Sequence, residues 1–296
     1  MAQKTYNLNL ETMKRKLVFI LSSNYSGSHY LSLLLGSHSQ AMHLGETKNL
    51  IKEGVNCYTC GVLNGCHLFK GIQELTTDDL YPTLFNRTGE QINFLIDTSK
   101  KIEWASKFIN NQADYEIKVI HLVRDPRALL RRWKNKYTSL LSQLGQRRKT
   151  LKEFPEKAFQ LLFSSQNNIY LYKWLKQNKE IINFTKQYVL DTKTITYHDL
   201  TLNPEKELSI LMEWLGSNYE PAQLKHWEFE HHGTQKRQYE WVKKQQTTSH
   251  IDLRWKETLT EKQSKIIINT PDFNRFITEL NLFQLDNGLS SSNLRI

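Results

Sequence analysis

Residues 16–36 read KLVFILSSNYSGSHYLSLLLG, and this stretch decides the fold. It begins with an apolar run at residues 17–21, passes through a small polar turn containing Gly27, and ends in a second apolar run. The first run is typical of a buried strand and the second of a helix. A strand, a polar turn and a helix can hold an anion, because the free N–H groups at a helix N-terminus point toward it. Ser26 and Ser28 would add hydroxyl donors.

The turn is not a Walker A loop, because the glycines and the lysine of G-x-x-x-x-G-K-[ST] are absent. Hydrolysis of ATP or GTP is therefore not expected. An ordinary strand-turn-helix unit with serine caps would give the same local pattern. A second anion-binding element is needed to decide between the two interpretations.

That second element is residues 119–128, which read VIHLVRDPRA. The β-branched run predicts a strand that ends at Val123, with Arg124 next and Asp125-Pro126 opening a helix. An arginine at this place can bind a phosphate through two N–H groups, beside the amides of the helix. Taken alone, Arg124 could equally pair with a neighbouring carboxylate.

The composition points to a globular protein with an anionic partner. The chain has 296 residues and 40 Lys and Arg against 30 Asp and Glu, a formal net charge of +10. Its 39% hydrophobic and 11% aromatic content excludes a disordered polyelectrolyte, a collagen or a disulfide scaffold. The charge alone does not choose among nucleic acid, an anionic membrane surface and a phosphorylated small molecule. No apolar run approaches the roughly 18 residues of a spanning helix, so we expect a soluble, cytoplasmic protein without a membrane span.

The pattern along the chain predicts an α/β fold. Short runs of strand character fall at residues 17–21, 94–97, 118–123 and 194–197. They alternate with helical patterns, which predicts a central parallel sheet. We expect a single domain over residues 1–286, with a Cys-containing insertion near 48–93 and a flexible tail at 287–296.

Several helices carry start or stop signals. Residues 203–216 begin with Asn-Pro and end with glycine after an apolar stripe. Thr260 opens a capping box for a last helix that is interrupted near Pro271. From Pro126 onward, apolar residues recur at helical spacing as far as Leu144, which predicts one amphipathic helix.

These elements together resemble the sulfotransferase family in order and spacing. The matching residues are Ser26-Gly27-Ser28, Val123-Arg124-Asp125-Pro126-Arg127, Thr196-Tyr197-His198-Asp199-Leu200, Asn203-Pro204, Trp214-Leu215-Gly216 and Asp252-Leu253-Arg254-Trp255-Lys256. The resemblance runs from about Leu17 to about Phe283. It implies a P-loop-like three-layer fold with a central parallel sheet flanked by helices. It also implies transfer of a sulfonate group from 3′-phosphoadenosine 5′-phosphosulfate (PAPS) to an acceptor hydroxyl or amine, without a required metal.

The resemblance implies positions for the PAPS donor. The residues of the first loop that would hold its 5′-phosphosulfate are Tyr25, Ser26, Gly27, Ser28 and His29. Arg124 would bind the 3′-phosphate. Tyr30 would stack on the adenine, with Tyr197 nearby. Lys236 and Arg237 would close over the donor and contact its 3′-phosphate.

Two positions depart from the family pattern. Tyr25 stands where the family usually has Arg or Lys, so the cation that normally neutralises the transferring sulfonate is missing. Arg132 stands eight residues after Arg124, where many members have a serine. Its guanidinium could still bind the 3′-phosphate.

Three residues are candidates for catalysis. Lys100 ends a segment, LIDTSK, that resembles an Asp-Ser-Ser-Lys element of bacterial sulfotransferases, and it could supply positive charge. His29 is a second possible source of that charge. Glu46 resembles the catalytic Gly-Glu of protein-tyrosine sulfotransferases, and we expect a raised pKa that suits proton removal. The alternatives are a surface lysine, a packed histidine and a solvated glutamate.

All three cysteines lie in one short window. Cys57 and Cys60 have CxxC spacing, and Cys66 is followed by His67. Three thiols and an imidazole could form a Cys₃His zinc site, although adjacent residues are poorly placed to bind one ion. The window resembles a Cys-containing insertion of prokaryotic sulfotransferases that covers the acceptor pocket. We expect a structural lid, and zinc, a disulfide and free thiols all stay open.

Two other functions stay open. Tyr25 favours a sulfotransferase fold that binds PAPS or an acceptor without catalysis. Basic stretches at residues 131–134 and 146–149 would suit a nucleic-acid-binding protein, but no recognised nucleic-acid module accompanies them, so we expect no nucleic-acid partner. The variable regions 48–93 and 139–173 are expected to select the acceptor, a small molecule or a peptide.

Overall fold

The computed structural model describes residues 14–50, 56–61, 64–110, 115–233 and 251–291 of the chain. The strands of its central sheet are β1 (Lys16–Ser22), β2 (Ala41–Gly45), β3 (Phe94–Lys100), β4 (Glu116–Val123) and β5 (Asp191–Thr196). Neighbouring strands are parallel, in the order β2-β3-β1-β4-β5. The predicted parallel sheet is confirmed. β1 lies at its centre and is buried throughout, which suits its continuous apolar run.

Helices surround this sheet. The first six helices along the chain are α1 (Ser28–Leu35), α2 (Thr77–Arg87), α3 (Ile102–Ala105), α4 (Pro126–Lys136), α5 (Leu140–Glu153) and α6 (Ala158–Leu162). The later helices of the described residues are α7 (Gln166–Gln187), α8 (Tyr197–Leu202), α9 (Pro204–Leu215), α10 (Glu261–Ile268) and α11 (Pro271–Glu279). Short 3₁₀ turns include Thr47–Asn49, Pro221–Glu228 and Arg254–Glu257.

The two faces of β1 are covered by different helices. Val18 and Ile20 pack with α1, α8 and α9. Leu17, Phe19 and Leu21 point to the other face and pack with α2, α3 and part of α7. This alternation follows from the two-residue period of a strand. The predicted three-layer α/β fold, with the sheet between two layers of helices, is confirmed.

The start and stop signals read from the sequence correspond to real helix ends. Gly216 follows α9 with a φ of 84°, in the left-handed region that glycine adopts without strain. Thr260 accepts a hydrogen bond from the backbone N–H of Gln263 in the predicted capping box of α10. Pro271 begins α11, which confirms the predicted interruption.

The single helix predicted over residues 126–144 is wrong, because the chain forms two helices there. α4 ends at Lys136, and the Ser139 side chain accepts a hydrogen bond from the backbone N–H of Ser142 to start α5. Leu140 and Leu141 are 72% and 82% exposed, so they do not continue the buried stripe. A serine cap satisfies the first amides of a new helix and can break an apolar pattern in this way.

The end of the described chain belongs to the folded body. β6 (Phe283–Leu285) and β7 (Gly288–Ser290) form an antiparallel pair, in contrast to the flexible tail expected from residue 287. The Ser290 hydroxyl and the Ser291 backbone N–H each donate to the Asp199 carboxylate at 2.6 Å. Burial opposes ionisation of Asp199, but hydrogen bonds from His198 and Ser290 hold its pKa well below the usual range. This ion therefore fastens β7 to α8.

Two further results concern strands and membranes. β2, at the edge of the sheet, has no counterpart among the predicted strands, because its sequence AMHLG is short and includes a histidine and a glycine. Its His43 is nevertheless buried, and the ring shares a hydrogen bond of 2.5 Å with the Ser32 hydroxyl of α1. None of the described helices is long and apolar enough to cross a bilayer.

Candidate active site

The carboxyl ends of the parallel strands bring the predicted site residues to one edge of the sheet. The loop before Ser28 follows β1, Glu46 follows β2, Lys100 ends β3, Arg124 follows β4 and Tyr197 follows β5. In an open parallel sheet this edge is where ligands bind. Residues that are 99 positions apart in the chain, Tyr25 and Arg124, are hydrogen-bonded there.

The turn between β1 and α1 forms a cradle for an anion. Gly27 precedes α1 with a φ of 94°, and no side chain caps the first amides of the helix. Ser26 and Ser28 are each 1% exposed, and the Ser28 hydroxyl has no hydrogen-bond partner among the described residues. Buried hydroxyls normally have a partner. Uncapped amides and an unpaired hydroxyl at a helix N-terminus are therefore suited to bind a phosphate or sulfate group.

Gly27 allows a close approach that no other residue would permit. A Cβ atom at this position would lie 2.3 Å from Cδ2 of Tyr197. The positive φ also disfavours any side chain. The Tyr197 ring consequently rests on the loop itself, which places Tyr197 beside the cradle.

Arg124 joins three parts of the site. Its Nη1 donates to the backbone carbonyl of Tyr25 at 2.8 Å, and its Nη2 donates to Asp252 at 2.9 Å. Its guanidinium carbon lies 4.1 Å from the centre of the Tyr197 ring. Burial lowers the pKa of Arg124, while Tyr197 and Asp252 act in the opposite direction. Arginine stays cationic under such conditions, so a positive charge stands against the loop.

Two cations of α4 lie near this unit. Arg132 is exposed, and it is close enough that its charge helps to lower the pKa of Arg124. Lys136 Nζ lies 6.0 Å from the centre of the Tyr25 ring. Lys136 was not predicted as a site residue, although residues four apart share a helix face and its spacing from Arg132 is visible in the sequence. Lys136 thus brings positive charge near the Tyr25 side chain.

Glu46 is held between two lysines. Lys100 Nζ lies 2.6 Å from its Oε1 and Lys48 Nζ lies 2.9 Å from its Oε2. Burial raises the pKa of Glu46, but the charges and hydrogen bonds of Lys100 and Lys48 outweigh this effect and lower the pKa below its ordinary value. The raised pKa expected from the sequence is wrong, because the two lysines outweigh the effect of burial. Neither lysine contact could be foreseen from the sequence. Lys100 has a φ of 64°, a strained conformation of the kind found at functional sites.

A buried carboxylate fixes the two turns that carry this ion pair. Asp97 is fully buried and accepts hydrogen bonds from the hydroxyls of Thr47 and Tyr81 and from the backbone N–H of Ser99. Trp104 Nε1 donates to the Thr47 hydroxyl at 3.0 Å. The network ties the end of β3 to the turn after β2. It therefore holds the turn that carries Glu46 next to the strand end that carries Lys100.

His29 lies in a row of buried imidazoles behind the loop. Its ring centre is 5.2 Å from that of His43, which is 5.6 Å from that of His231. Neither ring nitrogen of His29 has a hydrogen-bond partner among the described residues. Burial, assisted by the charge of Lys100, lowers the pKa of His29 to about 3. The ring is neutral at pH 7, so its predicted role as a second source of positive charge is wrong.

The remaining predictions for nucleotide binding concern Tyr30, Lys236 and Arg237. Tyr30 is 9% exposed and packs in the core, with its ring centre 6.0 Å from that of His226. Most of the ring is covered by this packing, and its stacking on adenine stays a prediction. Lys236 and Arg237 lie outside the described residues, and their roles stay predictions.

The three cysteines meet a histidine from a distant part of the chain. Cys57, Cys60 and Cys66 have free thiols, and their sulfurs lie 3.6, 3.5 and 3.4 Å from Nδ1 of His232. His67, the histidine considered from the sequence, is exposed, and its ring packs edge-on against that of His232. A separation of more than 160 residues hid the true partner.

One basic stretch considered for nucleic acid has a structural use. Arg147 Nη1 donates to the carbonyls of Leu161 and Leu162, and Nη2 donates to the carbonyl of Ser164. These contacts satisfy carbonyls at the end of α6. The Arg147 charge is therefore engaged within the fold, whereas its neighbour Arg148 is exposed.

No protein-family model and no curated protein matches the chain. The sulfotransferase domain from the curacin biosynthetic pathway is similar over 92% of this chain and 99% of that one, with 21% identity and a TM-score of 0.54. The sulfotransferase domain of the Synechococcus PCC 7002 olefin synthase matches over 77% and 82%, with 19% identity and a TM-score of 0.48. Mouse sulfotransferase SULT7A1, complexed with PAP, matches over 90% and 82%, with 14% identity and a TM-score of 0.40. The architecture predicted from the resemblance is confirmed: the chain has the sulfotransferase fold.

Proposed function

We propose that the protein transfers a sulfonate group from PAPS to an acceptor hydroxyl or amine. The observation that carries this proposal is the contact between Lys100 and Glu46, 2.6 Å apart, on the same sheet edge as the anion cradle. A cation, a carboxylate and an anion site at one edge are the three groups that the reaction needs. The sulfotransferase fold agrees with this chemistry.

The cradle fits the donor on its own features. The uncapped amides of α1 and the unpaired Ser28 hydroxyl would hold the phosphosulfate. Arg124, with Arg132 close by, would bind the 3′-phosphate. Gly27 would let the loop keep this conformation against Tyr197, since a side chain there would collide with the Tyr197 ring.

The proposed reaction is an in-line displacement at sulfur. The acceptor oxygen or nitrogen forms a bond to the sulfur while the bond from sulfur to the phosphate oxygen breaks. The acceptor proton passes to the ionised Glu46 carboxylate. The products are the sulfonated acceptor and 3′-phosphoadenosine 5′-phosphate, which leaves with the electron pair of the broken bond. Lys100 would stabilise the negative charge on the sulfonate oxygens and the leaving phosphate.

In the free protein Lys100 and Glu46 form an ion pair, and donor binding would give each of them a different role. The sulfonate would offer Lys100 a second anionic partner, while Lys48 would keep its own contact with Glu46 at 2.9 Å. The pKa of a buried carboxylate rises when a cationic neighbour is lost, because burial already favours its protonated form. The carboxylate is then a stronger base. Donor binding would thus prepare Glu46 to accept the proton.

The absence of a cation at position 25 does not favour a protein that binds PAPS without catalysis. Lys136 lies beside Tyr25, and Lys100 and Lys48 contact Glu46 at the same edge of the sheet. Positive charge is therefore available from other elements of the fold. Sulfonate transfer depends on charge near the reacting oxygens rather than on the position in the sequence that supplies it.

The experiment is PAPS turnover with fractionated cell extract as acceptor, read by mass spectrometry for sulfonated product. Glu46→Gln should bind 3′-phosphoadenosine 5′-phosphate normally and lose turnover by roughly 10²–10⁴-fold. Glu103→Gln, an exposed carboxylate near the start of α3, is the matched control and should keep full turnover. Unchanged turnover in Glu46→Gln would refute the role of Glu46. Failure of the unaltered protein to bind 3′-phosphoadenosine 5′-phosphate would refute the function.

A further inference from the structure

The Cys57, Cys60, Cys66 and His232 cluster, here called the thiol cluster, brings four metal-ligating atoms to one point. The three sulfurs and Nδ1 of His232 all lie within 4.8 Å of one another. Cys57 and Cys66 are fully buried and His232 is 3% exposed. The three thiols are free, and an odd number of thiols cannot all pair as disulfides within one chain. The cluster is separate from the cradle and the Lys100–Glu46 pair.

The sulfur–nitrogen distances within the thiol cluster match one tetrahedral ion. Zinc binds sulfur at about 2.3 Å and nitrogen at about 2.0–2.1 Å in a tetrahedron, so the sulfur and nitrogen ligands are about 3.6 Å apart. The three sulfurs lie 3.4, 3.5 and 3.6 Å from Nδ1 of His232. These values agree for all three pairs. Ordinary packing of thiols against an imidazole has no reason to place every sulfur at the same distance from one nitrogen.

The groups around the thiol cluster also suit a metal. Nε2 of His232 lies 3.5 Å from the Glu230 carboxylate, and a metal-ligating histidine usually directs its second nitrogen to such an acceptor. The Cys57 sulfur receives backbone N–H groups from Cys60 and Gly233. Hydrogen bonds of this kind stabilise a thiolate. The surroundings therefore stabilise the thiolate form in which a cysteine binds a cation.

We propose that the thiol cluster is a structural Zn²⁺ site. Its four protein ligands complete a tetrahedron and leave no position for a substrate, which is typical of a structural rather than a catalytic zinc. On binding, the three thiols lose their protons to solvent and bind as thiolates, and His232 binds as a neutral imidazole. No electron transfer and no further reactant is involved.

The zinc would crosslink the Cys-containing insertion to the segment around residue 232. The backbone N–H of Tyr58 donates to the carbonyl of Gly233 at 2.8 Å, and the Thr59 hydroxyl donates to the carbonyl of His231. The ion would close a loop of more than 160 residues. His231 belongs to the row of imidazoles behind the first loop, so zinc bound at the adjacent His232 would also stabilise that part of the candidate active site.

The test is metal analysis of the full-length protein, purified without added zinc in metal-free buffer. We expect one zinc per chain, with near-complete loss in Cys60→Ser and full retention in His67→Ala, which changes an exposed neighbour. Should Cys60→Ser fail to fold, exchange of cobalt into the unaltered protein provides a second measurement. The cobalt protein should show the visible and thiolate charge-transfer bands of a tetrahedral, thiolate-rich site.

Four results would overturn the proposal. They are less than about one-fifth of a zinc ion per chain, a disulfide within the cluster, iron in place of zinc, and equal loss of zinc in His67→Ala and Cys60→Ser. None of these readouts depends on enzyme activity, so the zinc site and the proposed sulfonate transfer can fail separately. Removal of the ion by a chelator should also lower the melting temperature of the full-length protein.

Discussion

Replacing Arg124 with glutamine should weaken the binding of nucleotides that carry a 3′-phosphate and spare those that do not. Arg124 would offer the phosphate two charge-assisted hydrogen bonds, each contributing about 1.5–3 kcal/mol. Solvent recovers part of this when the arginine is lost, so we expect a net loss of about 2–3 kcal/mol in binding free energy. That corresponds to a roughly 30- to 150-fold weaker dissociation constant for 3′-phosphoadenosine 5′-phosphate.

The fold should tolerate this change. Arg124 donates to Asp252 and to the carbonyl of Tyr25, but Asp252 also receives two hydrogen bonds from Arg254, at 2.6 and 2.8 Å. Its carboxylate is therefore not left unpaired. We expect the free energy of unfolding to fall by about 1–3 kcal/mol, which a protein of ordinary stability can lose.

The assay is calorimetry with two ligands, 3′-phosphoadenosine 5′-phosphate and adenosine 5′-phosphate. The loss should appear with the first and be within error for the second, so that the difference isolates the 3′-phosphate. Arg148→Gln, on the exposed face of α5, is the control for net charge and should change neither affinity. An equal loss for both ligands, or no loss for either, would refute the assignment of Arg124.

Two further predictions concern the loop and the ion pair. Gly27→Ala should lower the free energy of unfolding by about 2–5 kcal/mol, since it adds a left-handed alanine and a collision with Tyr197, whereas Gly145→Ala, with open space around it, should change stability by less than about 1 kcal/mol. Denaturant titration measures both, and equal effects would contradict the close approach at residue 27. Despite burial, Lys100 and Lys48 lower the pKa of Glu46, so kcat/KM should show no loss from protonation of Glu46 until the pH falls below the ordinary range of a glutamate pKa. In Lys100→Ala the pKa of Glu46 rises, because one of the two lysines that lower it is lost, so activity should be lost with falling pH at a higher pH than in the unaltered protein. Identical pH profiles would show that Lys100 does not govern Glu46.

The sequence was most informative where the signal was local. The apolar run of β1, the uncapped turn at Gly27 and the strand-to-helix junction at Arg124 each lie within a few consecutive residues. Such patterns determine element type and, through the parallel sheet, the edge at which the site forms. The same logic failed at Ser139, where one capping serine divided an apolar stripe that looked continuous.

The electrostatics and the thiol cluster depend on contacts between distant residues. A burial-raised pKa at Glu46 was a reasonable expectation for a carboxylate in a cleft, but Lys100, which reverses it, is 54 residues away. His29 is a histidine at a helix start, where its charge is set by how deeply the ring is covered. His232 had no local pattern that linked it to the cysteines. These features required the folded chain.

The hairpin of β6 and β7 links the last described residues to the first loop. Gly288 approaches so closely that a Cβ there would lie 2.7 Å from the His198 ring, and Ser290 is hydrogen-bonded to Asp199. Both partners belong to α8, whose first residue, Tyr197, rests on Gly27. α8 is thus held from two sides, by the hairpin and by the first loop. A change in the hairpin, such as loss of the Ser290 hydroxyl, should therefore reach the first loop through the position of Tyr197.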